Sequence, residues 1–253
     1  MPPTARAAFW RRAVMGYAGF GASLAYCIVR VAHRGLLGAR AGANESIAKD
    51  TARVMARLVC AGGDIRVRVI DGERMTQLQP CVYVANHQSF VDYPILATIF
   101  PARTVIVGKA EIGRIPLIGW LFRVTGNVLL ARANGRGAAD TLTELVKAIV
   151  RDGQSIWMFP EGTRRRTAEP MLPFKSGAFR VAAAAGVPIV PVVVSSLTPH
   201  IDLATRQAEP TTITIRVLTA RAVDDDEAHI RTAVAETRDA MVLAFCEMSP
   251  TQT

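Results

Sequence analysis

Short apolar runs alternate with helical patterns from Asp64 to the C-terminal region, and this alternation constrains the fold more than any other feature. Runs rich in β-branched residues predict seven strands, at Ile65–Ile70, Cys81–Ala85, Thr104–Val107, Val128–Ala131, Ser155–Phe159, Ile189–Val194 and Thr212–Leu218. Between and after them lie patterns with helical spacing, at Val91–Ile99, Ile115–Val124, Ala138–Arg151, Gly177–Ala185 and about Asp225 to Met248. This order predicts an α/β domain in which helices flank a mostly parallel sheet.

Two polar motifs each follow one of these predicted strands. Asn86–Asp92 has the pattern HX4D, a histidine with a carboxylate five positions later. Phe159–Arg164 places a carboxylate and an arginine on a glycine turn. Open α/β sheets bind ligands at the carboxyl ends of their strands, so both motifs are expected at one edge of the sheet. Together they offer a base and a phosphate-binding site.

The first motif also has a purely structural interpretation. Ser89 followed three residues later by Asp92 is a helix capping-box pattern, and taken alone this interpretation is the more common one. The Asn86-His87 pair directly before it, together with the blocks described below, favours catalysis.

The N-terminal region differs in composition and predicts a helical segment over residues 1–62, followed by the α/β domain over 63–253. Ala13–Val29 carries no charge and has arginines on both sides. Its length is at the lower limit of the roughly 17 to 25 apolar residues that cross a bilayer, so a spanning helix and a shallow interfacial helix both fit. Glu45–Cys60 has apolar residues at helical spacing, which predicts a helical hairpin that rests on a membrane or packs on the core.

Charge and composition restrict the partners. The formal net charge is +9 and the sequence pI is about 10.0, which favours phosphate-bearing substrates or an acidic membrane surface. Aromatic residues make up only 6% and no nucleic-acid-binding motif occurs, so no nucleic acid is expected. The four histidines do not have the spacing of metal ligands, and we expect no metal.

Six blocks resemble the glycerolipid acyltransferase family in their order and spacing, and within it the bacterial 1-acyl-sn-glycerol-3-phosphate acyltransferases. They are Asn86–Asp92, Gly108–Gly119, Gly126–Arg132, Phe159–Arg164, Phe174–Phe179 and Val187–Pro191. The resemblance covers about Tyr83 to Val194. It implies transfer of a fatty acyl group from a thioester of coenzyme A or acyl carrier protein to the sn-2 hydroxyl of 1-acyl-sn-glycerol-3-phosphate, which gives phosphatidic acid. It implies no cofactor beyond the acyl donor.

The HX4D residues suit this chemistry. An alcohol attacks a thioester poorly unless its proton is removed, and histidine is the side chain whose unperturbed pKa lies nearest neutrality. His87 is therefore the expected general base. Asp92 would fix its tautomer and stabilise the imidazolium, as the carboxylate does in a serine-protease triad.

The expected substrate-binding residues lie mainly in the second motif. Arg164 would grip a phosphate with two hydrogen bonds, Gly162 would let the backbone approach, and Thr163 would add a hydroxyl donor. By resemblance, Arg132 is the second phosphate ligand and Glu161 belongs to the acceptor site.

Four positions in or near these motifs have alternatives that stay open. Glu161 would otherwise form an ion pair with Arg164 or a lysine. Lys109 either lines the acyl or thioester site or is an ordinary surface lysine. Arg165 and Arg166 continue a basic run that is typical of a solvated face.

Other functions remain as alternatives: an acyltransferase for another lysolipid such as lyso-ornithine lipid, or a non-catalytic membrane-binding relative. Since thioester donors are made in the cytosol and the acceptor is a lipid, the expected location is the cytoplasmic face of the bacterial inner membrane. The expected partners are a lysophospholipid, an acyl thioester, the membrane surface and, where it supplies the thioester, acyl carrier protein.

Overall fold

A computed structural model describes residues 3–36, 44–116, 118–124, 126–130, 136–165, 169–198, 200–202 and 207–249. The α-helices are α1 Pro3–Leu36, α2 Asn44–Gly62, α3 Arg74–Gln77, α4 Asp92–Leu96, α5 Ile118–Val124, α6 Arg136–Val150, α7 Gly177–Ala185 and α8 Glu227–Met248, with a 3₁₀ helix at Ala110–Arg114. The strands are β1 Ile65–Ile70, β2 Val82–Ala85, β3 Thr104–Lys109, β4 Val128–Leu130, β5 Ser155–Met158, β6 Ile189–Val194, β7 Ile201–Asp202, β8 Gln207–Ala208 and β9 Thr211–Val217.

Seven strands form one sheet in the order β1-β9-β6-β2-β5-β3-β4. All neighbouring pairs are parallel except β6 and β9, which confirms the predicted mostly parallel sheet. β2 and β5 are neighbours, with Val84 opposite Met158. Their carboxyl ends therefore bring the HX4D motif and the glycine turn to the same edge of the sheet.

Two apolar layers cover the sheet, because side chains of a strand alternate between its faces. In β2, Tyr83 and Ala85 face the layer that contains α2 and α4. Val82 and Val84 face the layer built from α6, α7 and α8. All four residues of β2 are fully buried, as expected for a central strand of a parallel sheet.

Helices α1 and α2 form the predicted hairpin and run antiparallel. A side chain at Gly19 would meet the backbone of Leu58, and one at Gly62 would meet the backbone of Met15, so both glycines allow close helix packing. Helix α1 extends well beyond Ala13–Val29, over Pro3–Leu36. The division at residue 62 stays a prediction, although α2 ends at Gly62.

One helix in the described part of the chain is long and apolar enough to cross a membrane, over Ala7–His33, and only 17% of its most apolar stretch is buried. With 34 residues, α1 is about 50 Å long, against a bilayer core of roughly 30 Å. Its exposed side chains include Val14, Tyr17 and Val29. One arginine of the basic flank before them is already paired within the protein. Arg12 Nε donates to Asp64 Oδ2 at 2.8 Å, and the Arg12 side chain is mostly buried.

The predicted strands and helices are present, with bounds that differ by a few residues at most ends. Not predicted were helix α3, the 3₁₀ helix and the β7–β8 pair. They are too short to show a period in the sequence.

Candidate active site

His87 and Asp92 form the pair that the HX4D spacing predicts. His87 Nδ1 lies 2.8 Å from Asp92 Oδ2, and the aspartate is fully buried at the start of α4. Asp92 Oδ2 also accepts hydrogen bonds from the backbone N–H of Gln88 at 2.5 Å and of Ser89 at 2.8 Å. Two backbone contacts and the histidine contact therefore share one carboxylate oxygen, although α4 begins at Asp92 and its N-cap residue Val91 makes no side-chain capping hydrogen bond.

The imidazole of His87 is also held from its face. Its ring stacks on Phe159, with centroids 4.2 Å apart and planes inclined by 22°. With Nδ1 engaged by Asp92, Nε2 is the ring nitrogen left to accept a proton. His87 keeps 21% of its side chain exposed and lines a cavity of about 2210 Å³. This orientation suits a general base that reaches a bound hydroxyl.

Glu161 ties the two motifs together through the backbone. Its Oε1 accepts from the N–H of His87 at 2.8 Å and its Oε2 from the N–H of Leu172 at 2.9 Å. The side chain is 4% exposed, and burial raises the pKa of its carboxyl although both amide hydrogen bonds act in the opposite direction. Both oxygens are thus committed to backbone donors, an arrangement that neither sequence interpretation of Glu161 included.

The residues on either side of His87 attach the loop to β6. Asn86 donates to the carbonyl of Val194 at 2.9 Å and accepts from its N–H at 2.8 Å. Gln88 donates to the carbonyl of Ser195 at 3.0 Å, and its side-chain oxygen accepts from Arg165 Nη2 at 3.5 Å. Arg165 also donates its backbone N–H to the carbonyl of His87 at 2.8 Å. Arg165 therefore belongs to the support of the histidine loop, whereas the sequence had suggested a solvated face.

Arg164 stacks on an aromatic side chain. Its guanidinium carbon lies 3.5 Å from the centroid of the Phe90 ring, which is 69% exposed. Flat stacking on an aromatic face leaves the N–H groups at the edge of the guanidinium available. Phe90 lies inside the HX4D motif, so this contact also couples the two motifs.

The glycine turn needs its glycine. Gly162 has φ +67° and its N–H donates to the carbonyl of Phe159 at 3.0 Å. The left-handed region disfavours any other residue. A side chain there would also meet the Lys175 side chain, with 2.9 Å to Nζ.

One cavity of about 2210 Å³ joins most of the predicted residues. Its lining includes His87, Lys109, Glu161, Gly162, Thr163 and Arg164. Lys109 is the exposed last residue of β3, so the structure brings it to the correct edge. Arg132 lies outside the described residues. The described part of the chain contains no cluster of three or more His, Cys, Asp or Glu side chains that could hold a metal.

Sequence reasoning missed several side chains in this region: Phe90, Phe159, Gln88, Arg165 and Lys175. Each lies inside or beside a block that the sequence singled out. No signal in one sequence distinguishes a residue that packs on His87 from one that merely follows it.

The Acyltransferase family model matches residues 66–195, just over half of the chain. The 1-acyl-sn-glycerol-3-phosphate acyltransferase of Haemophilus influenzae is 46% identical over 127 residues, which are 50% of this chain and 52% of that protein. The enzyme of the same name from Escherichia coli is 47% identical over 122 residues, 48% of this chain and 49% of that protein.

The matched segments thus span about half the length of these curated relatives. The crystal structure of the 1-acyl-sn-glycerophosphate acyltransferase PlsC from Thermotoga maritima superposes with a TM-score of 0.73 at 20% identity, and covers 95% of this chain and 98% of that chain. That likeness establishes the shared fold. With its central strands, its HX4D pair and its glycine turn inside the matched segment, this chain belongs to the Acyltransferase family.

Proposed function

We propose that this protein transfers a fatty acyl group from acyl-CoA or acyl carrier protein to the sn-2 hydroxyl of 1-acyl-sn-glycerol-3-phosphate, which yields phosphatidic acid. The observation that carries the proposal is the His87–Asp92 contact of 2.8 Å at the edge of a cavity that also contains Arg164. The names of the two curated relatives described above support the same acceptor.

In the proposed reaction His87 removes a proton from the acceptor hydroxyl. The hydroxyl oxygen then attacks the thioester carbonyl, and the developing imidazolium is stabilised by buried Asp92. When the tetrahedral intermediate collapses, the carbon–sulfur bond breaks and the imidazolium returns its proton to the leaving thiolate. The protein itself is never acylated, so the step needs no enzyme nucleophile.

The acceptor phosphate would bind the guanidinium of Arg164. Its stacking on Phe90 at 3.5 Å fixes the plane of the guanidinium, which lowers the entropy lost when it binds two phosphate oxygens. Thr163 adds an exposed hydroxyl on the same turn. Arg132 remains the second proposed ligand, and Lys109 the proposed residue of the thioester side. For Glu161 the two backbone contacts favour a positioning role over direct contact with the acceptor.

The site would open at the cytoplasmic face of the bacterial inner membrane. Helix α2 runs antiparallel to α1, and Arg30 of α1 lies 3.7 Å from Asp50 of α2. Tyr17, Phe20 and Leu24 of α1 line the same cavity as His87. A lipid acceptor could then reach the cavity from the membrane that the exposed face of α1 enters.

The test incubates the purified full chain with 1-acyl-sn-glycerol-3-phosphate and labelled acyl-CoA or acyl carrier protein, and identifies the lipid product. His87→Ala and Asp92→Asn should each lower kcat by roughly 10² to 10⁴ while the fold is retained, because a positioned base contributes that much. His229→Ala is the matched control: its Nδ1 lies 2.6 Å from Asp224 Oδ2, outside the cavity.

Near wild-type turnover in folded His87→Ala would refute the general-base mechanism. Product formed from lyso-ornithine lipid, with none from the phosphate acceptor, would move the assignment to that alternative. Membrane binding without acyl transfer by any donor would indicate the non-catalytic relative.

A further inference from the structure

Lys175 lies against the glycine turn, although it is distant from that turn in the chain. Its backbone N–H donates to the carbonyl of Pro160 at 2.9 Å. This bond fastens the segment before α7 to the segment that leaves β5. The Lys175 side chain therefore runs alongside the residues proposed to bind phosphate.

The contact with Gly162 locates the ammonium group. A methyl group added at Gly162 would lie 2.9 Å from Lys175 Nζ, 3.0 Å from Cε and 3.2 Å from Cδ. The end of the lysine side chain thus passes over the Cα of the turn. Glycine is therefore favoured at position 162 for two reasons. It leaves room for the end of the Lys175 side chain, and it adopts the backbone conformation at φ +67° without strain.

The charge of Lys175 has no acidic partner in the described ranges of the chain. The carboxylate beside it in the turn, Glu161, is buried and already accepts two backbone N–H groups. Lys175 is exposed and lines the same cavity as His87 and Arg164. An ammonium held in this way is available to an anion that enters the cavity.

We propose that Lys175 binds the acceptor's phosphate together with Arg164, at the Glu161–Arg164 turn. This inference rests on the proposed function, since the anion is taken to be the phosphate monoester of the acceptor. A phosphate monoester carries nearly two negative charges and three acceptor oxygens at neutral pH, so it can bind several cationic groups at once. Lys175 adds a mobile point charge to the directed hydrogen bonds of Arg164 and of Arg132, the second ligand proposed above.

The experiment compares Lys175→Met, which keeps an apolar chain of similar length, with wild type. The KM for 1-acyl-sn-glycerol-3-phosphate should rise roughly 10- to 100-fold, as expected for loss of a charge-assisted contact. The KM for the acyl thioester should stay within about 2-fold, and Lys175→Arg should recover part of the loss. Lys147→Met is the matched control, because Lys147 is an exposed lysine paired with Glu144 on α6.

Gly162→Ala probes the same contact from the other side, because its methyl group must displace the ammonium. Gly162→Ala and Lys175→Met should each raise the acceptor KM. In the double variant, the increase should be smaller than the product of the two single increases. An increase in the double variant equal to the product of the two single increases would contradict the proposed contact.

Binding of glycerol 3-phosphate, measured by calorimetry, gives a readout without turnover. Wild type should bind it at least 10-fold more tightly than Lys175→Met. If wild type shows this difference but no acyl transfer, the proposed reaction fails and the phosphate site stands. An unchanged acceptor KM in folded Lys175→Met, or a rise confined to the KM for acyl-CoA, would overturn the assignment. If Lys175→Met does not fold, Lys175→Gln is judged by the same two measurements.

Discussion

Glu161→Gln offers the sharpest test of how this site is built, because it changes one buried atom. The carboxylate accepts from the N–H groups of His87 at 2.8 Å and Leu172 at 2.9 Å. A glutamine provides only one acceptor oxygen and turns an NH₂ group toward the other N–H donor. One of the two backbone segments must therefore move away.

The magnitude follows from these contacts. A lost hydrogen bond to a charged acceptor costs about 1.5 to 3 kcal/mol, and Glu161 is only 4% exposed, so solvent screening does not reduce this value much. A shift of about 1 Å at His87 would add a roughly 10²-fold loss in kcat. The KM for the acceptor should change little, because both carboxylate oxygens face backbone donors.

Steady-state kinetics with both substrates and denaturant unfolding check these values. Glu144→Gln is the control, since that glutamate is exposed on α6. A large rise in acceptor KM at unchanged kcat would refute the positioning role and restore Glu161 to the acceptor site.

The same variant has a signed pH dependence. Burial raises the folded-state pKa of Glu161 above its ordinary value of 4.5. For a raised pKa, the stabilisation from proton binding is fully present below pH 4.5 and is lost as pH rises through the folded-state value. The stability difference between wild type and Glu161→Gln, which does not titrate, should therefore shift in favour of wild type as pH falls through this window. A constant difference across it would contradict the raised pKa.

Two further predictions concern substrate binding and membrane attachment. Arg164→Ala should raise the KM for the phosphate acceptor far more than the KM for the thioester. Arg164→Lys should restore acceptor binding poorly, because lysine lacks the planar guanidinium that stacks on Phe90. Equal effects on both substrates would refute the assignment. Replacing the exposed side chains of Val14, Tyr17 and Val29 of α1 by serine should weaken vesicle binding roughly 100-fold, at about 1 kcal/mol for each side chain that the membrane would bury. The exposed Leu243→Ser serves as control, and unchanged sedimentation with vesicles would exclude this face as the membrane contact.

The N-terminal hairpin illustrates what sequence reasoning missed about attachment. The arginines before Ala13–Val29 suggested attraction to anionic lipid, but Arg11 and Arg12 both contact Asp64, at 3.3 Å and 2.8 Å. Burial of the apolar face of α1 is therefore expected to dominate membrane attachment more strongly than the sequence alone suggested. Helix α2 places Met55 and Ala56 in the main core, so the hairpin is also part of the folded domain.

The order of neighbouring residues in the sequence determined the fold class and the central pair of the candidate site. The alternation of apolar runs and helical patterns was enough for the α/β class, because period and turn residues are properties of neighbouring positions. The HX4D spacing was enough for the His87–Asp92 contact, since five residues at the end of a strand span only one turn. The chain order also placed Arg164 and Gly162 in one glycine turn.

Tertiary structure alone decided which residues support that pair. Glu161 meets the backbone of His87 across 74 positions, and Lys175 meets Gly162 from the segment before another helix. These contacts depend on β2 and β5 being neighbours, and on the path of the chain from β5 to α7. Strand order depends on how the whole apolar surface is buried, which no local pattern encodes. The two adjacent arginines of the basic run therefore looked alike in sequence, yet Arg164 stacks on exposed Phe90 and Arg165 holds the loop of His87.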